Sequence, residues 1–210
     1  MNKIELIVWD FSGTILNDVD HFFNLNCSML PDDKKGNLPS IDYYRDNFSF
    51  PVGDYYKRIG LVQNDIEAVY KEATKRSEDG LYDCELQEGV LDTLKLVKDL
   101  GLRQVILSTI EQSFLNKQVS RFGIEGYFDQ ILGMDHIRND SKIELVKKIN
   151  NSVDRENVLM VGDTTHDYEV ASSAGWNCIL ISRGHQSRKA LVGVGCEVVD
   201  SARELVKFIK

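Results

Sequence analysis

Carboxylates, hydroxyls and one lysine recur in this chain where apolar runs stop, and that placement is its chemically informative pattern. Asp10, Ser12, Gly13 and Thr14 close the run 4–9, Ser108 and Thr109 follow 105–107, and Asp163 and Asp167 follow 158–161. Lys142 falls in the first turn of an expected helix, where Ser141 and Glu144 read as a capping box. A lysine there opposes the helix dipole, so a nearby anion would justify it. Three carboxylates with backbone oxygens suit a hard divalent cation. Mg²⁺ is the first choice, since it takes one or two carboxylates plus waters and substrate phosphate. A hydroxyl and an ammonium beside it would hold phosphoryl oxygens and neutralise charge during transfer. Each residue alone is commonplace; their convergence points to phosphoryl chemistry.

Convergence requires the apolar runs to be strands of one sheet. Residues 4–9 make a continuous, β-branched-rich run suited to a strand covered on both faces, and 158–161 and 177–181 read the same way. Helical stripes alternate with them: Val90, Leu91, Leu94, Val97 and Leu100 up to Gly101, a helix around 114–122, and Val170, Ala171 and Ala174 up to Gly175. Ser201 with Glu204 caps a last helix. Repeated β-α units predict a parallel sheet flanked by helices, whose carboxyl edge is the usual ligand site. Residues 18–84 read as helical only. Phe22, Leu25 and Met29 share a face, Ser40 N-caps a helix through Tyr43, Tyr44 and Phe48, and another runs over about 54–59 to Gly60. Asn64 and Glu67 open a further helix with Ile66, Val69, Tyr70 and Ala73 as its stripe. The expected core is therefore discontinuous, 1–17 with 85–210, and 18–84 is an inserted helical cap.

At 210 residues the chain can bury a core and carry such an insertion. A net charge of −8 without a basic stripe argues against nucleic acid. No run approaches a membrane span, and no signal core opens the chain. Cys27, Cys84, Cys178 and Cys196 lack metal-type or redox-type pairing, which predicts a reduced, cytoplasmic protein.

With these motifs in this order the chain resembles the haloacid dehalogenase superfamily, in the subgroup with a helical cap after the first strand that includes phosphoglycolate phosphatases. Residues 10–14 are similar to its Asp-x-Asp-x-Thr turn, Ser108 to its second motif, Lys142 to its lysine, and 162–167 to its Gly-Asp-x-x-x-Asp. The run 87–101 resembles the segment that re-enters the core. The resemblance implies a Rossmann-like α/β core and a small phosphorylated metabolite as substrate. It implies that Asp10 is the nucleophile of an aspartyl-phosphate route. Mg²⁺ would be held by Asp10, the backbone carbonyl of Ser12 and Asp163, with Asp167 positioning a ligand water. Ser108 and Lys142 would grip the phosphoryl group, with Thr14 and Thr109 beside them. From the cap, Arg45 and Lys57 are candidates for an anionic substrate group, and Tyr43, Tyr44, Tyr55 and Tyr56 for shaping the pocket.

Residue 12 departs from the family pattern. The second aspartate there protonates the leaving oxygen and then activates water, whereas a serine does not titrate near neutral pH. Losing general acid–base catalysis costs on the order of 10²–10⁴-fold. His21, His166 and His185 are the titratable candidates to replace it, with His166 read as a solvent-facing loop residue. Two alternatives stand beside a phosphatase. One is a carbon–phosphorus hydrolase resembling phosphonoacetaldehyde hydrolase, in which Lys57 would form a Schiff base. The other is a regulatory module that binds phosphate and metal but turns over weakly.

Overall fold

The computed structural model describes residues 3–62, 66–134, 142–149 and 153–209. Strand β1 (Leu6–Trp9) leads into the short β2 (Leu16–Asn17), and four helices follow: α1 (Val19–Met29), α2 (Ile41–Asn47), α3 (Val52–Ile59) and α4 (Ile66–Gly80). β3 (Glu85–Leu86) then returns antiparallel to β2, with Leu16 opposite Leu86. Beyond it helices and strands alternate: α5 (Val90–Asp99), β4 (Arg103–Glu111), α6 (Gln112–Arg121), β5 (Gln130–Met134), α7 (Ile143–Val146) and β6 (Val158–Gly162). The series ends with α8 (Thr165–Ala174), β7 (Asn177–Ile181), α9 (Arg188–Leu191) and β8 (Glu197–Val199).

Six strands form one parallel sheet in the order β5-β4-β1-β6-β7-β8. β1 is central, with Trp9 opposite Ile106 on one side and Val161 on the other. Its side chains alternate between two apolar clusters. Ile7 and Trp9 pack with α5 and α6 residues such as Leu94 and Leu115, while Leu6 and Val8 pack with Leu145 and Val170 across the sheet. Burial on both faces explains why the run is continuously apolar rather than alternating. Trp9 Nε1 donates to Gln104 Oε1 (3.0 Å), so the one polar atom of this large core side chain is satisfied.

The helices between β2 and β3 carry a third apolar cluster that includes Leu38, Tyr44, Tyr55 and Ile59. Ser40 caps α2 by accepting from Tyr43 N, and Gly60 ends α3 in the left-handed conformation. α2 is fastened to the loop after β7. The Arg45 side chain donates to the carbonyls of Gly184 and Ser182, and Gln186 Nε2 donates to Phe48 O (2.7 Å). Asp46 accepts from Ser187 Oγ (2.5 Å) and Lys189 Nζ (2.7 Å).

Two expectations change locally. β4 runs on through Ser108 and Thr109 to Glu111, with a register shift after Leu107. The last element is a 3₁₀ helix over Ala202–Lys207, capped by Ser201. A further 3₁₀ helix, Asp32–Asn37, lies between α1 and α2. The caps assigned to Ser141 and Asn64 lie outside the described residues. Among those described, no helix is long and apolar enough to cross a membrane.

Candidate active site

The parallel register brings three strand ends together. Asp10 follows β1 directly, and its N–H donates to Val161 O of β6 (2.8 Å), so it faces the loop that carries Asp163. The turn after Asp10 depends on Gly13, whose φ is +76° and where a Cβ would lie 2.2 Å from Asp163 Oδ2. Gly184 packs on the same carboxylate, since a Cβ there would lie 2.1 Å from that oxygen. Held between two backbones, Asp163 accepts from Thr14 Oγ (3.0 Å) and His185 N (2.6 Å). Asp167 closes the first turn of α8, its Oδ2 accepting from Thr164 N (3.0 Å) and Thr164 Oγ (2.8 Å). Its Oδ1 lies 2.6 Å from Lys142 Nζ, which is also 2.6 Å from Asp10 Oδ1. Lys142 precedes α7 and is only 2% exposed, so this ammonium is buried against two carboxylates.

Ligand oxygens of Asp10, Asp163 and Asp167 lie within 4.8 Å of one another, all from buried side chains. Burial raises the Asp10 carboxyl well above its ordinary range, with Lys142 pulling it back and the charges of Asp167 and Asp163 pushing it further. Burial likewise pushes Asp163 up to about 6, helped by Asp167 and opposed by His185. For Asp167 burial would raise the value, but the charge and hydrogen bond of Lys142 outweigh it and hold the carboxyl low. Burial works against the Lys142 ammonium too, and the two carboxylates overcome it. Three buried carboxylates lie together, and the single ammonium contacts two of them. A divalent cation would supply the charge such a cluster lacks, and the carboxylate donor set fits Mg²⁺.

Position 12 holds a polar cluster that the motifs alone do not disclose. Ser12 Oγ donates to Asp18 Oδ2 (2.5 Å) and lies 3.1 Å from His185 Nε2. Asp18 is fully buried, accepts from Gly13 N (2.8 Å) through Oδ1, and lies 3.2 Å from His185 Nε2. His185 Nδ1 is 2.7 Å from Tyr44 OH, which ties the cluster to α2. Burial pulls the His185 pKa down, but the charge and hydrogen bond of Asp18 and the charges of Asp163 and Asp10 raise it overall. Asp18 precedes α1 without capping it; its carboxylate turns back onto the loop after β1. The only sequence signal for this was an aspartate shortly after a turn that lacks one.

Other candidates separate. Thr109 lines the cavity above Asp10, whereas Ser108 is buried with its Oγ accepting from Ile110 N (3.2 Å). Lys57 is a correction: it points to solvent on α3 and pairs with Asp54 (3.0 Å), away from the cavity. Arg45 spends its guanidinium on the two loop carbonyls and holds α2 to the core instead of lining the cavity. His166 is buried rather than solvent-facing, stacked on Phe50 with ring centroids 4.8 Å apart. His21 packs edge-on against Phe22 and does not line the cavity, while Tyr44 and Tyr56 do.

The comparisons agree with this architecture. The model of the haloacid dehalogenase-like hydrolase family matches residues 7–181. The chain is similar to pyrophosphatase PpaX of Halalkalibacterium halodurans, 26% identical over 181 residues covering 82% of this chain and 81% of that protein. It is similar to phosphoglycolate phosphatase 1 of Pseudomonas aeruginosa, 24% identical over 70% of this chain and 56% of that one. A haloacid dehalogenase-like hydrolase from Streptococcus pneumoniae shares the fold across 100% of both chains, with a TM-score of 0.80 at 17% identity. With the family model running from β1 to the end of β7 and including all three carboxylates, the chain belongs to the haloacid dehalogenase-like hydrolases.

Proposed function

We propose that this protein is a Mg²⁺-dependent phosphatase that acts on a small phosphorylated metabolite through an aspartyl-phosphate on Asp10. The observation that carries the reading is Lys142 Nζ, buried at 2.6 Å from both Asp10 and Asp167 within a cluster of three carboxylates. Asp10, Asp163 and the backbone carbonyl of Ser12 would hold the cation, with Asp167 beside them. Bound there, it would offset the negative charge of the phosphoryl oxygens.

In the first step a carboxylate oxygen of Asp10 forms a bond to phosphorus while the bond from phosphorus to the leaving oxygen breaks, and that oxygen takes up a proton from solvent water. Lys142 favours the ionised form of Asp10 and has a third N–H donor for a phosphoryl oxygen. Thr109 lies on the cavity wall near the transferred group. In the second step water attacks phosphorus, the bond between phosphorus and the Asp10 oxygen breaks, and phosphate leaves with the carboxylate regenerated. Ser12 donates a hydrogen bond but does not exchange a proton near neutral pH, so esters with poor leaving groups turn over slowly. The segment 18–84 acts as the cap over this edge, held by Arg45 and Tyr44. A carbon–phosphorus hydrolase using Lys57 has no support, because that lysine lies outside the cavity. The free cysteines fit a cytoplasmic setting.

Phosphate release from a panel of monophosphate esters, with Mg²⁺ and with chelator, tests the reading. Release should require Mg²⁺ and vanish in Asp10→Asn; undiminished release by that variant would reject it.

A further inference from the structure

We infer that the group esterified to the phosphate is uncharged and apolar, with an aromatic ring as the best fit. Monophosphates of neutral ring-bearing alcohols are then preferred over phosphorylated carboxylates and over pyrophosphate. The inference rests on the phosphatase reading and deepens it.

The cavity above Asp10 encloses about 210 Å³. Asp10, Ser12, Lys142, Asp163 and His185 line it, together with the apolar side chains of Phe22, Phe48, Phe50, Val52, Ile110 and Phe114. An apolar cavity of roughly 150 Å³ is enough to hold benzene. One ring therefore fits beside a phosphoryl group. Phe48, Phe50 and His166 fix one another by ring contacts at 5.6 and 4.8 Å, so this wall is preformed.

Charge selects in the same direction. Among the described residues, Lys142 is the only lysine or arginine lining the cavity, and two carboxylates already surround it; His185, the other lining side chain able to carry positive charge, is already paired with Asp18 at 3.2 Å. Arg45 and Lys57, the cap cations that would meet a second anionic group, are committed to loop carbonyls and to Asp54. Glu111 adds a negative charge to the lining, and Asn26, three threonines and three tyrosines add only neutral hydrogen-bonding groups. A carboxylate or second phosphoryl group pressed against these walls would lose hydration without gaining a charged partner. Aromatic faces carry negative charge density and would not compensate it.

A matched pair of non-hydrolysable ligands tests this on the wild-type protein. 2-Phenylethylphosphonate and 3-phosphonopropionate differ only in a phenyl ring against a carboxylate. Calorimetric titration in Mg²⁺ should show the phenyl compound binding at least about tenfold tighter. Equal affinity, or tighter binding of the carboxylate compound, would overturn the inference. Val52→Lys places an ammonium on the half-buried apolar wall at the start of α3 and should narrow the ratio. A ratio unmoved in a folded Val52→Lys protein would also overturn it. Wild-type turnover of 4-nitrophenyl phosphate, whose leaving group needs little acid assistance, keeps the two readings apart. Preferential phenyl binding with no phosphate release rejects the phosphatase and leaves the pocket inference standing. Phosphate release with the preference reversed does the opposite.

Discussion

Restoring the family's aspartate at position 12 should damage the protein unless Asp18 changes with it. In Ser12→Asp the hydroxyl that donates to Asp18 Oδ2 at 2.5 Å is lost. A hydrogen bond to a charged acceptor contributes about 1.5–3 kcal/mol. The new carboxylate would also meet Asp18, which is fully buried. Two like charges about 4 Å apart repel by about 4 kcal/mol at an effective dielectric near 20. His185, 3.2 Å from Asp18, offsets part of this, which leaves a net loss of about 2–5 kcal/mol. Adding Asp18→Asn removes the repulsion. It keeps an oxygen for Gly13 N, now held at 2.8 Å, and supplies an amide donor to the new carboxylate. The double variant should regain most of the stability and hydrolyse alkyl phosphates faster than wild type, toward the ~10²–10⁴-fold range of general acid–base catalysis. Urea unfolding and steady-state phosphate release on the same preparations check both halves. A Ser12→Asp protein as stable as wild type, or a folded double variant no faster than wild type, would refute the reasoning.

Further outcomes follow from the same contacts. Lys142→Met leaves Asp10 and Asp167 buried without their cation; breaking such a pair costs about 3–5 kcal/mol, read by unfolding, and phosphate release should disappear. Arg45→Ala strips the donor from the Ser182 and Gly184 carbonyls, so amide exchange around 182–187 should quicken and kcat/KM fall as α2 loosens from that loop. The metal-free protein should show its own pH dependence. Because burial pushes Asp163 to about 6, the folded state keeps a proton the unfolded chain has released, so stability is present below the ordinary carboxylate range and lost as pH rises through about 6. Mg²⁺ should accordingly raise Tm more at about pH 7.5 than at about pH 5, where protons compete for the same carboxylates.

What could be read from the chain, and what could not, divides on physical grounds. The continuous apolar run of β1 announced a strand buried on both faces, and its end marked Asp10. Lys142 was legible because a lysine opposing a helix N-terminus needs an anion, and it meets two. Such signals are local in sequence. Asp18 was not legible: its role depends on a 2.5 Å contact with Ser12 and on His185 reaching in from the loop after β7, far away in sequence. Lys57 and Arg45 illustrate the opposite failure. Both belong to helices whose faces were clear, but whether a cation points to solvent, to a loop carbonyl or into a cavity is decided by how those helices dock. Ser108 and Thr109 are adjacent, and that Thr109 rather than Ser108 lines the cavity is not legible from their order in the chain.

The central claim is that Asp10 becomes phosphorylated, and the absence of a titrating group at residue 12 makes this directly observable. With 4-nitrophenyl phosphate the first step needs little acid assistance, whereas hydrolysis of the aspartyl-phosphate still lacks its base. Rapid mixing of wild-type protein with this ester and Mg²⁺, acid quenching, and peptide mass spectrometry should find one phosphoryl group on the peptide carrying Asp10. It should accumulate in step with a burst of nitrophenolate and be absent from Asp10→Asn. Sustained nitrophenolate release with Asp10 unmodified, or with the phosphoryl group on another residue, would contradict the account.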